Sequence, residues 1–251
     1  MCQSFHSVKP HTGIDPHLQP FPTAHITPGL VHYIQTEVFP QYAQNDKGHQ
    51  LEHIHYVIRR SLLFMEQFED MNADMVYTIA AYHDIAHHID KDRHEVLSAK
   101  ALQNDTNLRH FFTEEQLVLM QEAIEDHRAS LEYQPRSSYG KIVSSADRST
   151  DIDGFVRRTH AYTLKHFPEY TEEQSMERCY RHMKSKYGDG GYARSYVIDN
   201  DYIRFIQTIQ ELLDDKEAFR AKYKAAAHET GNEIEQPATR MRSGMTADAQ
   251  A

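Results

Sequence analysis

The stretch from Ala80 to Asp90 reads AAYHDIAHHID, an apolar run that ends in four potential metal ligands: His83, Asp84, His87 and His88. His83 follows Val76 and Ala80 at spacings of seven and three. It therefore continues the stripe that a helix would turn toward the core, with Asp84 beside it. In a chain with 18 histidines a His-Asp pair decides little by itself. Its surroundings along the chain carry more information.

The helical period extends outward on both sides. No proline falls between Gln41 and Gln134, and no glycine between His49 and Tyr139. The absence of both breakers favours helices joined by short polar turns. Leu51, Ile54, Ile58, Leu62 and Met65 recur at helical spacing, as do Leu117, Met120 and Ile124. Thr113 with Gln116, and Thr171 with Gln174, match the capping box that starts a helix. Clear strand alternation is missing. The pattern predicts an all-α fold, a bundle of roughly seven to nine helices forming one domain over about residues 27–228. Residues 1–26, with four prolines, and the polar tail 229–251 are expected to be disordered. The stretch YGDGGY, Tyr187 to Tyr192, lacks the lysine and preceding strand of a phosphate loop and reads as a turn between helices. The charged stretch from Gln210 to Ala227 reads as a terminal amphipathic helix.

Composition narrows the classes of function. The chain has 251 residues and a net charge of −10. That charge argues against a nucleic-acid polymer or an anionic membrane as partner, though not against a small phosphate held by a cationic metal. The two cysteines, Cys2 and Cys179, make no disulfide framework. No apolar run reaches the length of a membrane span, and no secretory signal is visible at the start. A soluble, cytoplasmic protein is expected. Its oligomeric state is not readable from these features, and the helices after Asp147 either line a pocket or form a dimer face.

Five places break the hydrophobic pattern in the same way. His53, His83 with Asp84, His94, His127 and Asp147 sit where a helix normally buries an aliphatic residue. His94 shares a face with Leu97 and Ala101, His127 continues the stripe of Met120 and Ile124, and Asp147 follows Val143 by four. A lone core histidine is usually just hydrogen-bonded. Four imidazoles and two carboxylates on separate segments need a common sink for their polarity. One or two divalent metal ions in a helical bundle supply it, and nitrogen with carboxylate oxygen suits Mn, Fe, Co, Ni or Zn. The lack of cysteine among the candidates argues against a closed structural zinc site.

This order of residues resembles the HD-domain superfamily of metal-dependent phosphohydrolases. His53 in GHQLEHI matches the family's first histidine, His83 and Asp84 match the His-Asp pair, and Asp147 in IVSSADR matches the final aspartate. His94 and His127 match the two middle histidines of members that hold two metals, with Asp84 the natural bridge. The resemblance covers about residues 45 to 150, with a weaker likeness to about 205. It implies hydrolysis of a phosphate ester on a small molecule, a nucleotide among the candidates. It further implies a catalytic role for His49, which lies four residues before His53 and would protonate the leaving group. His87, four after His83, would act near the phosphate, and His88 is expected to face solvent or serve structure. Arg128, Arg136, Lys141 and Arg148 cluster around the later ligands and are candidates to hold phosphate oxygens, against the plainer expectation of surface charge. Two other functions share the pattern: a di-iron oxygenase built on the same ligands, and a non-catalytic nucleotide sensor.

Overall fold

The computed structural model describes residues 25–234; the segments 1–24 and 235–251, which hold most of both expected disordered ends, lie outside the described residues. Among the described residues the chain is helical throughout, with no strand. Ten α-helices follow in order: α1 Pro28–Tyr33, α2 Leu51–Met65, α3 Ala73–Tyr82, α4 His94–Asn104, α5 Glu114–Glu125, α6 Ser138–Ala146, α7 Ile152–His166, α8 Glu172–Tyr187, α9 Asn200–Asp214 and α10 Lys216–Ile234. Both capping boxes form as the sequence indicates, Thr113 starting α5 and Thr171 starting α8.

The stretch from Gln210 to Ala227 is not one helix. It spans a break at Asp215, whose side chain accepts hydrogen bonds from the amides of Glu217 and Ala218 and so starts α10. Local capping by an aspartate outweighs the continuing apolar period there. That break, with the six-residue α1, brings the helix number to ten. At the far end α10 continues to Ile234, past the point where the composition turns polar.

Two clusters of buried side chains organise the helices. The first joins α1 to α6, with Ile54, Val57 and Ile58 of α2 against Val76 and Ala80 of α3, Met120 and Ile124 of α5, and Val143 of α6. Helix α3 lies at its centre: every residue from Met75 to Tyr82 is buried, as expected of a helix apolar all round. The second cluster joins α7 to α10 through Val156, Cys179, Met183, Ile209 and Tyr223. Cys179 is a free, buried thiol.

Polar ties connect the clusters. Arg60 of α2 is buried and donates to the Arg148 carbonyl at 2.9 Å and to the Asp199 carboxylate at 3.0 Å, just before α9. The Ser145 hydroxyl of α6 accepts from the amides of Tyr196 and Val197 at 2.8 and 3.0 Å. Between α8 and α9, YGDGGY forms the expected turn, and Gly190 takes a φ of 70°, where a side chain would be strained. No helix of the described residues is long and apolar enough to cross a membrane.

Candidate metal centre

The residues that interrupt the hydrophobic stripes all lie at or near helix ends. His53 is in the first turn of α2. His83 caps α3, Asp84 follows it, His94 opens α4, His127 lies just past α5, and Asp147 caps α6. The helical period reaches them because the terminal turn persists. The Asp147 amide still bonds to the Val143 carbonyl at 2.9 Å, and the His127 amide to the Ile124 carbonyl at 3.3 Å. The core-facing stripe of each helix thus delivers its last polar residue to one interior point.

Asp84 is the hub. Its Oδ2 lies 3.6 Å from His53 Nε2 and 3.4 Å from His83 Nε2. Asp147 Oδ1 completes this group, 3.2 Å from His53 Nε2 and 3.8 Å from His83 Nε2. The other oxygen, Oδ1, faces the second group, 3.4 Å from His94 Nε2 and 3.5 Å from His127 Nε2. Neighbouring donors held about 2.1 Å from one ion sit roughly 3.0–3.4 Å apart. The spacings here fall in or close to that range.

The imidazoles are held ready to offer a lone pair. His83 Nδ1 meets the Ala80 carbonyl at 2.8 Å, His127 Nδ1 the Ile124 carbonyl at 2.6 Å, and His94 Nδ1 the Lys91 carbonyl at 2.9 Å. A carbonyl accepts only, so each Nδ1 carries the hydrogen and Nε2 is left as an acceptor in the neutral ring. For His83 and His127 the accepting carbonyls are those freed at helix C-termini, where the partial negative charge also favours a cation. The acceptors then face one another: His53 and His83 Nε2 are 3.3 Å apart, and His94 and His127 Nε2 are 3.1 Å apart. Asp84 Oδ1 is buried without a hydrogen-bond donor. Facing lone pairs around an orphaned carboxylate oxygen require a positive charge between them.

The titration behaviour has the same cause. Burial opposes the charge on Asp84, but the imidazoles of His83, His127 and His53 outweigh it and hold its carboxyl well below the usual range. Burial likewise pulls against a proton on His53, and the Asp147 and Asp84 carboxylates overcome it, pushing His53 up to about 10. A proton there takes the place of a cation. The donor set therefore fits divalent ions at two positions, His53, His83, Asp84 and Asp147 holding one and Asp84, His94 and His127 the other.

Two residues outside the donor set fix its shape. Asn45 is buried, donates to the carbonyls of His49 and Asp84 at 3.0 and 2.9 Å, and accepts from the His88 amide at 3.0 Å. It straps the entrance of α2 to the turn after α3. His88, an exposed residue, serves this strap, and its Nδ1 also meets Asn45 Oδ1 at 3.1 Å. Arg148 is buried, and its guanidinium donates to the His127 carbonyl at 3.1 Å and to Asp147 Oδ2 at 3.3 Å. It positions two donors and also lines the cavity described below, unlike the other basic candidates around the later ligands.

His49 and His87 come together beside the centre. Their rings stack with centroids 3.7 Å apart, and His49 Nδ1 meets Asp46 Oδ1 at 2.7 Å. Burial and then the neighbouring His49 push His87 down to about 4, which keeps it neutral. Asp46, His49 and His87 form a third group of close donor atoms.

A cavity of about 480 Å³ opens onto the centre and is lined by His49, His53 and Asp147 from the first cluster, and by Arg158, Lys186 and Tyr187 from α7 and α8. The helices after Asp147 thus line the pocket. Arg128, Arg136 and Lys141 do not line it. Arg136 is turned away, its Nε 3.0 Å from the fully buried Asp126 and its Nη2 2.7 Å from Glu125. Arg128 donates to the Asp92 carbonyl and to Glu95. Lys141 lies near the start of α6, at the opposite end from Asp147. Arg158 and Lys186 are the cavity's cations that sequence order alone misses. For Lys186 the one signal is the helical spacing of basic residues on α8; Arg158, on α7, has none.

A family model described as HD domain matches residues 51–150, which span α2 to α6 and every donor of the two groups. That segment of the chain is similar to HD domains. Among solved structures the chain is similar to a predicted HD superfamily hydrolase from an uncultured Thermotogales bacterium. That likeness is 17% identical, covers 77% of this chain and 95% of that one, and has a TM-score of 0.43. No curated protein matches the chain.

Proposed function

We propose that this chain is a metal-dependent phosphohydrolase that cleaves a phosphate ester of a small molecule, with a nucleotide among the candidate substrates. The observation that carries this is Asp84, which turns one carboxylate oxygen to each of two His-rich donor groups, the first of which reaches an open cavity through His53 and Asp147. His53, His83, Asp84 and Asp147 would hold one divalent ion of the Mn, Fe, Co, Ni or Zn class, and Asp84, His94 and His127 a second. Such ions, when bound, supply a hydroxide nucleophile at neutral pH and offset phosphoryl charge.

The chain's own residues account for the remaining work. Arg158 and Lys186, on the cavity wall, attract and orient the phosphate and offset charge on its oxygens. His49 delivers a proton to the leaving oxygen. Asp46 fixes its ring through Nδ1, which leaves Nε2 as the exchanging position. His87, buried and neutral, supports that ring from below and stands near the phosphate. The negative surface suits a small substrate better than a nucleic-acid polymer, and a cytoplasmic setting is consistent with a free thiol at Cys179.

The test is a phosphate-release screen over nucleotides and sugar phosphates with metal-loaded protein, run beside an oxygen electrode. Metal-dependent phosphate release supports the proposal. Bound iron with oxygen consumption and no phosphate release would replace it with the di-iron oxygenase. Tight nucleotide binding without turnover would replace it with a sensor.

A further inference from the structure

A second cavity, of about 320 Å³, lies between α7 and α8. Arg178, His182 and Lys186 project into it from α8 at spacings of four, on one helical face. Phe155, Arg158 and Tyr162 of α7 form the opposite wall. Among the described residues no carboxylate lines this cavity.

The cations here differ from several others among the described residues. Arg109, Arg136, Arg181, Arg204 and Arg220 each pair with a glutamate or aspartate. Arg178 instead donates to the Thr163 hydroxyl at 3.0 Å and lies over the rings of Tyr162 and Phe167, 4.9 and 5.1 Å from their centroids. Lys186 lies over Phe155 and Tyr187 at 5.9 and 5.2 Å. His182 stacks on Phe155, with centroids 5.2 Å apart and planes 12° from parallel. Burial, and then the nearby Arg148, push Lys186 down to about 8; burial with Lys186 and Arg178 pushes His182 down to about 4. Aromatic faces hold the cations in place without neutralising them. Like charges gathered in a partly buried site, in a chain of net charge −10, are stabilised by an incoming anion.

The position of this cluster says which anion. Arg158 and Lys186 line both this cavity and the one that opens onto His53 and Asp147. One small molecule can therefore reach from the metal centre past this pair into the second cavity. We infer that the space between α7 and α8 is a distal phosphate subsite: the substrate carries a second phosphate group that binds Arg158, Arg178 and Lys186 while the reacting phosphate lies at the His/Asp centre. This rests on the phosphohydrolase reading for the identity of the reacting group. It narrows the substrate class to compact bisphosphorylated molecules.

Phosphonates test this without turnover, because their carbon–phosphorus bond is not a phosphate ester. Calorimetry on the metal-loaded full chain compares butylphosphonate with a series of α,ω-alkane bisphosphonates of increasing length. The expected result is that one length binds about tenfold or more tightly than butylphosphonate, as one added charge-assisted contact allows. Arg178→Gln and the more exposed Arg158→Gln should each remove most of that gain, while the surface control Arg181→Gln keeps it. The inference is overturned if no bisphosphonate exceeds the monophosphonate, or if both variants retain the gain. Inorganic phosphate titrated into chelator-treated protein separates the remaining source. Phosphate binding lost in Arg178→Gln, with no bisphosphonate gain, would make this a site for free phosphate and overturn the substrate assignment. A bisphosphonate gain in a protein that releases phosphate from no ester would remove the proposed function and leave the subsite standing.

Discussion

Helices α2 to α6 and helices α7 to α8 present opposite chemistry to the same cavity. The first set brings imidazole nitrogens and carboxylate oxygens, all able to accept, and turns them toward one another around Asp84. The second set brings Arg158 and Lys186, which only donate. Each arrangement is unfavourable alone, because buried acceptors repel and so do gathered cations. Each becomes favourable with a guest of the opposite sign. The acceptor side is suited to cations and the donor side to an anion.

The most damaging way to break this contrast is to remove the hub. Asp84→Ala should lower hydrolysis by on the order of a thousandfold or more, since both donor groups lose their shared oxygen. Metal content should fall while the far-ultraviolet circular dichroism stays helical. An Asp84→Ala protein with full metal and native turnover would end the assignment of this residue as a ligand.

A more selective change separates the two halves of the acceptor side. Replacing both His94 and His127 with Ala should take metal content from about two ions per chain to about one and reduce turnover roughly a hundredfold. If these histidines instead contact the phosphate, metal content will stay intact and KM will rise. Metal analysis and steady-state kinetics on one preparation decide between the two.

Arg136 tests whether a basic residue near the donors in sequence serves the phosphate or the scaffold. Its guanidinium holds the fully buried Asp126 just before His127. Arg136→Ala should therefore cost about 2–3 kcal/mol in urea unfolding, below the range for a fully buried pair because Arg136 is partly exposed. Unchanged stability with a raised KM would return Arg136 to the substrate. The mildest change is Thr113→Ala, which removes the capping box of α5 away from the cavity. It should cost about 1 kcal/mol and leave metal content and turnover unaltered.

These contrasts also explain what could be read in the amino-acid order. The convergence of these six side chains was legible because helical periodicity runs into the last turn of each helix, so a polar residue on the apolar stripe still points inward at His127 and Asp147. The capping boxes were legible because their bonds are local. Of the basic residues only Arg148, which follows Asp147 directly, reaches the cavity as its place in the sequence suggests. Arg128 and Arg136 are close to His127 in sequence, but the turns around them aim their side chains at Glu95 and Asp126. Asn45, Arg60 and Arg158 gain their roles from partners far away in the chain, which no local spacing encodes. The break at Asp215 was present in the sequence as an aspartate cap, and the apolar period running through it concealed it.

The central claim is that Asp84 serves two ions at once. Its most direct test is metal content per chain, measured by plasma mass spectrometry after loading the wild-type protein with Mn, Fe, Co, Ni or Zn and removing unbound ions. The account predicts about two ions per chain for at least one of these metals. A fully loaded protein with one ion would contradict the bridging role of Asp84, and a protein that retains none would contradict the metal centre itself.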